Sequence, residues 1–154
     1  MGNNITIEIE GIDNLRNKLK TYSDKAVKEV KRQVFISANN IKNKAQDLCP
    51  VSPPESGHAP SRLKHSIGVS YASDNLGAEI STNVEYAAFV EYGTGPHIIE
   101  AKNAKVLTDG VNFFGKRVMH PGTKAQPFMN PAAEEERNPF TDSIKAILNG
   151  NSAG

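Results

Sequence analysis

Four histidines, one cysteine and a run of three glutamates are the residues of this chain that invite chemistry. His58, His65, His97 and His120 fall in a loop, a strand, a post-turn strand and a pre-proline position. No pair has the short spacing with which two imidazoles share a metal on one helix, and a zinc site needs three or four converging ligands. Cys49 stands next to Pro50 at the end of an amphipathic run, where a buried free thiol is the plainer reading than a nucleophile. Ser66 and Ser70 lack the glycine-flanked elbow of a hydrolase serine. Gly93-Thr94-Gly95 lacks the Lys-Ser or Lys-Thr that makes a phosphate loop. Glu134, Glu135 and Glu136 sit where a helix begins, and carboxylates there are favoured by the helix dipole. No catalytic residue, metal site or cofactor site is expected. Glu91 is the acid of most interest, because it sits among aromatic residues and a partly buried carboxylate needs a partner. That partner lies either in a neighbouring subunit, as an inter-subunit salt bridge, or within the same chain.

The elements that would position these residues follow from periodicity. Ile5, Ile7 and Ile9 alternate with polar residues and predict a half-buried strand. Gly11 ends it, and Asp13 or Asn14 caps a short helix carrying Leu15 and Leu19. Ser23 caps the strongest helix, Asp24 to about Leu48. Its apolar stripe is Val27, Val30, Val34, Ala38, Ile41, Ala45 and Leu48, with most lysines off the stripe. At 1.5 Å per residue it spans on the order of 37 Å. Pro50 stops it, and the proline-rich stretch from Pro50 to Ser61 reads as an exposed loop. Leu63 to Tyr71 predicts a strand with Ile67, Val69 and Tyr71 on one face. Ser73-Asp74-Asn75 turns the chain into a partner strand, Ala78 to Thr82.

From Val84 to Tyr92 a short helix places Tyr86, Phe89 and Val90 on one side, and Gly93 ends it in a left-handed conformation. Gly95-Pro96 is a turn. His97 to His120 alternates as a long hairpin, with Phe113 and Phe114 near its end and Thr108-Asp109-Gly110 as a turn. Its mixed polarity suits an arm and not a core strand pair. Pro121-Gly122 is a type II turn candidate, and Gln126-Pro127-Phe128 lays an aromatic ring down before the last helix. Asn130 would cap that helix with Pro131 in its first turn, Pro139 would break or kink it, and Ile144, Ile147 and Leu148 would form its buried stripe. The expected organisation is a single domain over residues 1–150 with a disordered tail at 151–154.

Two signatures flank this segment: Tyr86-Ala87-Ala88-Phe89-Val90-Glu91-Tyr92-Gly93-Thr94-Gly95-Pro96-His97, and His120-Pro121-Gly122-Thr123-Lys124-Ala125-Gln126-Pro127-Phe128-Met129. Together with Cys49-Pro50-Val51 and Leu63-Lys64-His65-Ser66-Ile67, they resemble the tail-component family of long-tailed bacteriophages named for gene product 10 of phage HK97. The resemblance runs from about Ala45 to Ala133. Where that family has a short link after the proline, this chain has Ser52-Pro53-Pro54-Glu55-Ser56-Gly57-His58. The resemblance implies a structural virion protein of the neck, for tail completion or head–tail joining. It implies a ring of about six copies between the capsid connector and the tail tube, with genomic DNA passing through without specific binding. Partners would be further copies of the chain, the connector or stopper on one side, and the tail terminator or tube on the other. The interface expected from the two signatures and the hairpin comprises Tyr86, Phe89, Glu91, Tyr92, Gly93, Thr94, Gly95, Pro96, His97, Phe113, Phe114, His120, Pro121, Gly122, Gln126, Pro127 and Phe128.

Composition narrows the alternatives. A chain of 154 residues, 38% hydrophobic and 23% charged, is long enough to bury a sizeable core. No apolar run reaches the ~20 residues of a membrane span, and Met1-Gly2-Asn3-Asn4 lacks a signal-peptide pattern, so synthesis in the host cytoplasm and no membrane partner are expected. The net charge of +1 argues against a general nucleic-acid-binding face. A lone cysteine permits no disulfide within the chain. The expected fold is α+β: a small, mainly antiparallel sheet packed on one long helix, a long β-hairpin arm and a C-terminal helix. The competing functions are a tail terminator, a virion-associated hydrolase, and a nucleic-acid module built on the lysines of the long helix, which would need to form one continuous patch.

Overall fold

The computed structural model describes residues 5–8, 12–51, 61–102, 107–108 and 111–150. The expected strand at the start of the chain is β1, Ile5–Glu8, with Ile5 buried, Thr6 exposed and Ile7 half-buried. Helix α1 spans Ile12–Leu19 and α2 spans Asp24–Leu48. Ser23 caps α2 as expected, its Oγ accepting from the Ala26 N–H at 3.3 Å. The buried stripe of α2 is Ala26, Val30, Val34, Ser37, Ala38, Ile41 and Ala45. Ser37 joins it because its hydroxyl accepts from Gln33 Nε2 at 3.1 Å, whereas Leu48 is exposed and Cys49, one residue on, is buried instead.

The strand expected from Leu63 begins later. Arg62–Ser66 forms a one-turn helix, α3, because Leu63 and Ile67, one helical turn apart, both enter the core. The Ser66 hydroxyl donates to the Leu63 carbonyl at 2.7 Å, the local bonding by which serine favours a turn over a strand. Extended chain resumes as β2, Gly68–Tyr71, which turns at Asp74-Asn75 into β3, Ala78–Thr82. The sheet is antiparallel in the order β1-β3-β2, and Ile80 faces Ile7 on one side and Val69 on the other. Its apolar face packs with α2 in a cluster that includes Ile5, Val34, Ala38, Ile80, Val84, Phe128 and Met129.

The last helix, α5, spans Met129–Gly150 and runs through Pro139 as one element, without the break that was one of the two outcomes expected of that proline. Proline forfeits one hydrogen bond, yet packing holds the helix on both sides of it. Met129, Ala132 and Phe140 belong to the main core, while Ile144, Ile147 and Leu148 join a second cluster with Leu19, Val30 and Leu76. Lys44 pairs with Glu135 at 2.8 Å across the α2–α5 face. At the α1 end, Arg16 donates to Asp74 at 2.5 Å. That guanidinium, with the Leu76 N–H, holds the Asp74 carboxyl below its ordinary range. The mixed helix-and-sheet architecture expected from the sequence is the one observed.

Candidate functional site

Helix α4 spans Ala87–Tyr92, starting three residues later than the expected Val84. Ala87 and Glu91 are its inward side, and Val84, just before the helix, is buried with them. Tyr86, Phe89 and Tyr92 are turned outward, 39%, 50% and 63% exposed. Gly93 ends the helix at φ +72°, ψ −178°. This is an extended positive-φ conformation essentially confined to glycine, not the left-handed helical one that was expected.

From Gly93 the chain leaves the body and returns at Phe128. Between them, β4 (His97–Glu100) pairs antiparallel with β7 (Arg117–His120), and β5 (Leu107–Thr108) pairs with β6 (Phe113–Gly115). The hairpin expected over His97–His120 is therefore present. Part of its expected Thr108-Asp109-Gly110 turn, together with Val106, lies outside the described residues, as does most of the Pro50–Ser61 loop. Among the described residues from Gly93 to Pro127, none belongs to either core cluster.

The root of this arm is built from close backbone contacts. Thr94 and Thr123 exchange both backbone hydrogen bonds, at 2.9 and 3.1 Å, and their hydroxyls meet at 3.0 Å. The Gln126 N–H donates to the Val90 carbonyl at 2.8 Å. A Cβ on Gly93 would stand 2.6 Å from the Thr123 carbonyl oxygen, and one on Gly122 only 2.1 Å from that of Thr94. Gly122 lies at φ +90°, the value the expected type II turn demands of its third residue. His97 and His120 face each other in register, ring centroids 5.0 Å apart. Their spacing in sequence did not reveal this, because only the hairpin register brings them together. The His97 Nδ1 donates to the Gly95 carbonyl, while the His120 Nδ1 accepts from the Gly122 N–H, both at 3.0 Å, so the same ring atom plays opposite parts in the two side chains.

Glu91 locks this root to the body. Its carboxylate is 2% exposed and accepts the N–H groups of Phe128, Met129 and Asn130 at 2.8, 2.9 and 2.9 Å. These are orphan donors at the first turn of α5. A carboxylate from α4 thus caps α5, in place of the expected Asn130, and the partner of Glu91 lies within its own chain. The charge is stabilised by three charge-assisted bonds and by the positive end of the helix dipole. Nothing in local sequence pairs Glu91 with residues 37 to 39 positions away.

Of the residues expected at an interface, Phe113 and Phe114 are 78% and 45% exposed. Gly95, Pro96, His97, Pro121, Gln126 and Pro127 are exposed as well, and Gly93, Thr94, His120 and Gly122 are half-buried. Glu91 and Phe128 are enclosed by the chain itself, and Phe128 is a central core residue. The arm also exposes Ile98, Val111 and Met119, which were not singled out from sequence. A groove of about 390 Å³ runs along it, lined by Ile99, Leu107, Phe114, Val118, Met119 and Pro121 among others.

Elsewhere the chemistry is subdued. Cys49 is buried, and desolvation pushes its thiol up to about 11. Among the described residues no three or more His, Cys, Asp or Glu gather to hold a metal ion, and no helix is long and apolar enough to cross a membrane.

The family model described as "Bacteriophage HK97-gp10, putative tail-component" matches residues 13–93, more than half of the chain. The chain belongs to this family. As an HK97-gp10-like protein it is a phage tail component, a virion protein that works among other virion proteins. The match begins in α1 and stops at Gly93, where the arm leaves the body. The first signature is thus partly inside it, and the second, from His120 to Met129, lies outside. No curated protein and no solved structure matches.

Proposed function

We propose that this HK97-gp10-like protein is the tail-completion component of the neck. About six copies close into a ring that joins the capsid connector to the tail tube, with the genome passing through its centre. The observation that carries this reading is the arm. An isolated two-stranded hairpin is marginal in water, and this one exposes Val111, Phe113 and Met119 at 83%, 78% and 65% while none of its described residues lends a side chain to the core. Such a segment is suited to being covered by a neighbour, and aromatic residues are the usual anchors of protein interfaces. The two sides of a ring contact differ, so each copy offers an arm and receives another. The role is structural and needs no catalytic group.

Deleting Ala104 to Lys116 tests this directly. The variant is expected to keep the circular dichroism and thermal unfolding of the body while losing its ring on isolated connectors or tails. A deletion variant that still forms rings overturns the arm's role. The mass of the intact protein, alone and mixed with capsids or tails, tests the joining role. A species that binds neither at any concentration overturns it.

A further inference from the structure

The net charge of +1 conceals a strong asymmetry. Residues 12–32 hold seven Lys and Arg against three Asp and Glu, a net +4, which leaves −3 on the rest of the chain. The structure leaves most of these cations exposed, and those of α2 fall on one side of that helix. The buried stripe of α2 runs through Ala26, Val30 and Val34, so Lys25, Lys28 and Arg32 fall on its exposed side, with Lys31 half-buried at the flank. Lys18 and Lys20 are exposed at the end of α1, a few residues before α2 begins.

Most of this charge is uncommitted. Arg16 is held by Asp13 and Asp74, and Arg32 by Glu29. Among the described residues, Lys18, Lys25, Lys28 and Lys31 have no carboxylate within ion-pair distance. Lys20 meets only the Asn17 amide oxygen.

We propose that this basic end of α1 and α2 is a contact surface for the phosphate backbone of duplex DNA. It is independent of sequence and is carried by Lys18, Lys25, Lys28 and Lys31. Two observations favour nucleic acid over an acidic protein partner. First, among the described residues from Asp13 to Val34 no large hydrophobic residue is exposed; the exposed Phe35 and Ile36 follow on the next turn of α2. Protein interfaces centre on aromatic and apolar groups, whereas a phosphate backbone needs only cations. Second, the free cations are lysines, compact point charges on flexible stems, while both arginines of this surface are engaged at home. Lysine suits diffuse contact and arginine suits bidentate readout. The inference deepens the neck reading, because a ring traversed by the genome must turn some surface toward it, but binding by the free chain is measurable whether or not the ring forms.

The test uses the full chain and a 30-base-pair duplex of mixed sequence, with affinity measured by fluorescence anisotropy across a salt series. The expected result is weak binding at low salt, insensitive to sequence. Four phosphate contacts predict a logarithmic salt slope of about −3.6. The variant Lys25→Glu/Lys28→Glu/Lys31→Glu should lose binding at least tenfold with an unchanged melting temperature, since Lys25 and Lys28 are exposed, Lys31 lies at the flank of the buried stripe, and none of the three is in the core. Lys102→Glu/Lys116→Glu, on the arm, should bind as the parent does. Absence of binding in low salt overturns the proposal, as does a triple variant that binds normally. Loss confined to the arm variant assigns the DNA contact to the arm and overturns it equally. A triple variant that loses DNA binding while still forming rings supports the proposal. If rings fail to form with any variant or parent while DNA binding follows the pattern above, the neck reading falls and this surface stands.

Discussion

The body and the arm of this protein are made by opposite physical means. In the body, α2, α5 and a three-stranded sheet enclose Val34, Ile80, Phe128 and Met129, and side-chain burial holds the backbone in place. In the arm, backbone ladders and two crowded glycines hold the chain, and the apolar side chains face outward. Burial of a large side chain contributes on the order of 2–3 kcal/mol, and the body gains this from its own residues without a partner. The arm lacks that term and gains it only when something covers it. The difference divides a body held by burial from an arm held by backbone pairing; the family match ends at Gly93, where the arm begins, and leaves the body's α5 outside it.

Substitutions can sharpen or break that division. Phe128→Ala removes a fully buried ring at the point where the arm rejoins the body. It should destabilise the whole fold by about 3–5 kcal/mol, seen as a lower denaturant midpoint. Glu91→Gln keeps the size of the side chain but removes the charge that binds three N–H groups of α5. Its expected cost is about 2–3 kcal/mol. Because Glu91 belongs to the body yet fixes the root of the arm, hydrogen exchange should rise at both Phe128–Asn130 and the Thr94–Thr123 bridge. Exchange confined to one of them would mean that the two regions are less coupled than the geometry shows.

Gly122→Ala drives a Cβ into the Thr94 carbonyl. The cost should be about 2 kcal/mol and local, appearing as lost protection in the arm with little change in the body's unfolding. Phe113→Ser/Phe114→Ser should leave unfolding within about 0.5 kcal/mol of the parent, as exposed sites do, while abolishing assembly. A large loss of stability there would place the arm in the fold and erase the distinction.

The smallest effect belongs to Cys49. Its thiol ionises at 9.0 in an unfolded chain and near 11 in the folded one. This group therefore adds no pH dependence below about pH 9, and it lowers stability as pH rises from 9 toward 11, where only the unfolded state gains from ionising. A thiol reagent at pH 8 should react slowly with the native protein and rapidly once it unfolds.

Much of the body was legible residue by residue. Ser23 and the apolar stripe gave α2, the alternation of Ile5 and Ile7 gave β1, and Asp74-Asn75 marked the β2–β3 turn. The misreadings share a cause. Leu63 to Ser66 looked like strand because hydrophobic spacing over so few residues does not distinguish one helical turn from extended chain. Pro139 looked like a break because proline's local cost is visible in sequence and the packing that offsets it on both sides is not. The arm was legible as a hairpin, but the facing of His97 and His120 was not, since a register is set across strands.

The sequence by itself determined the long helix α2 with its Ser23 cap and the alternation of β1, because each of these is decided by neighbours within a few residues. Only the tertiary structure decided that Glu91 caps a helix nearly forty residues away, that Phe128 is core while Phe113 is surface, and that His97 and His120 face each other. Each of those depends on which distant segment is brought alongside, and on whether the space around a side chain ends up filled by protein or by water.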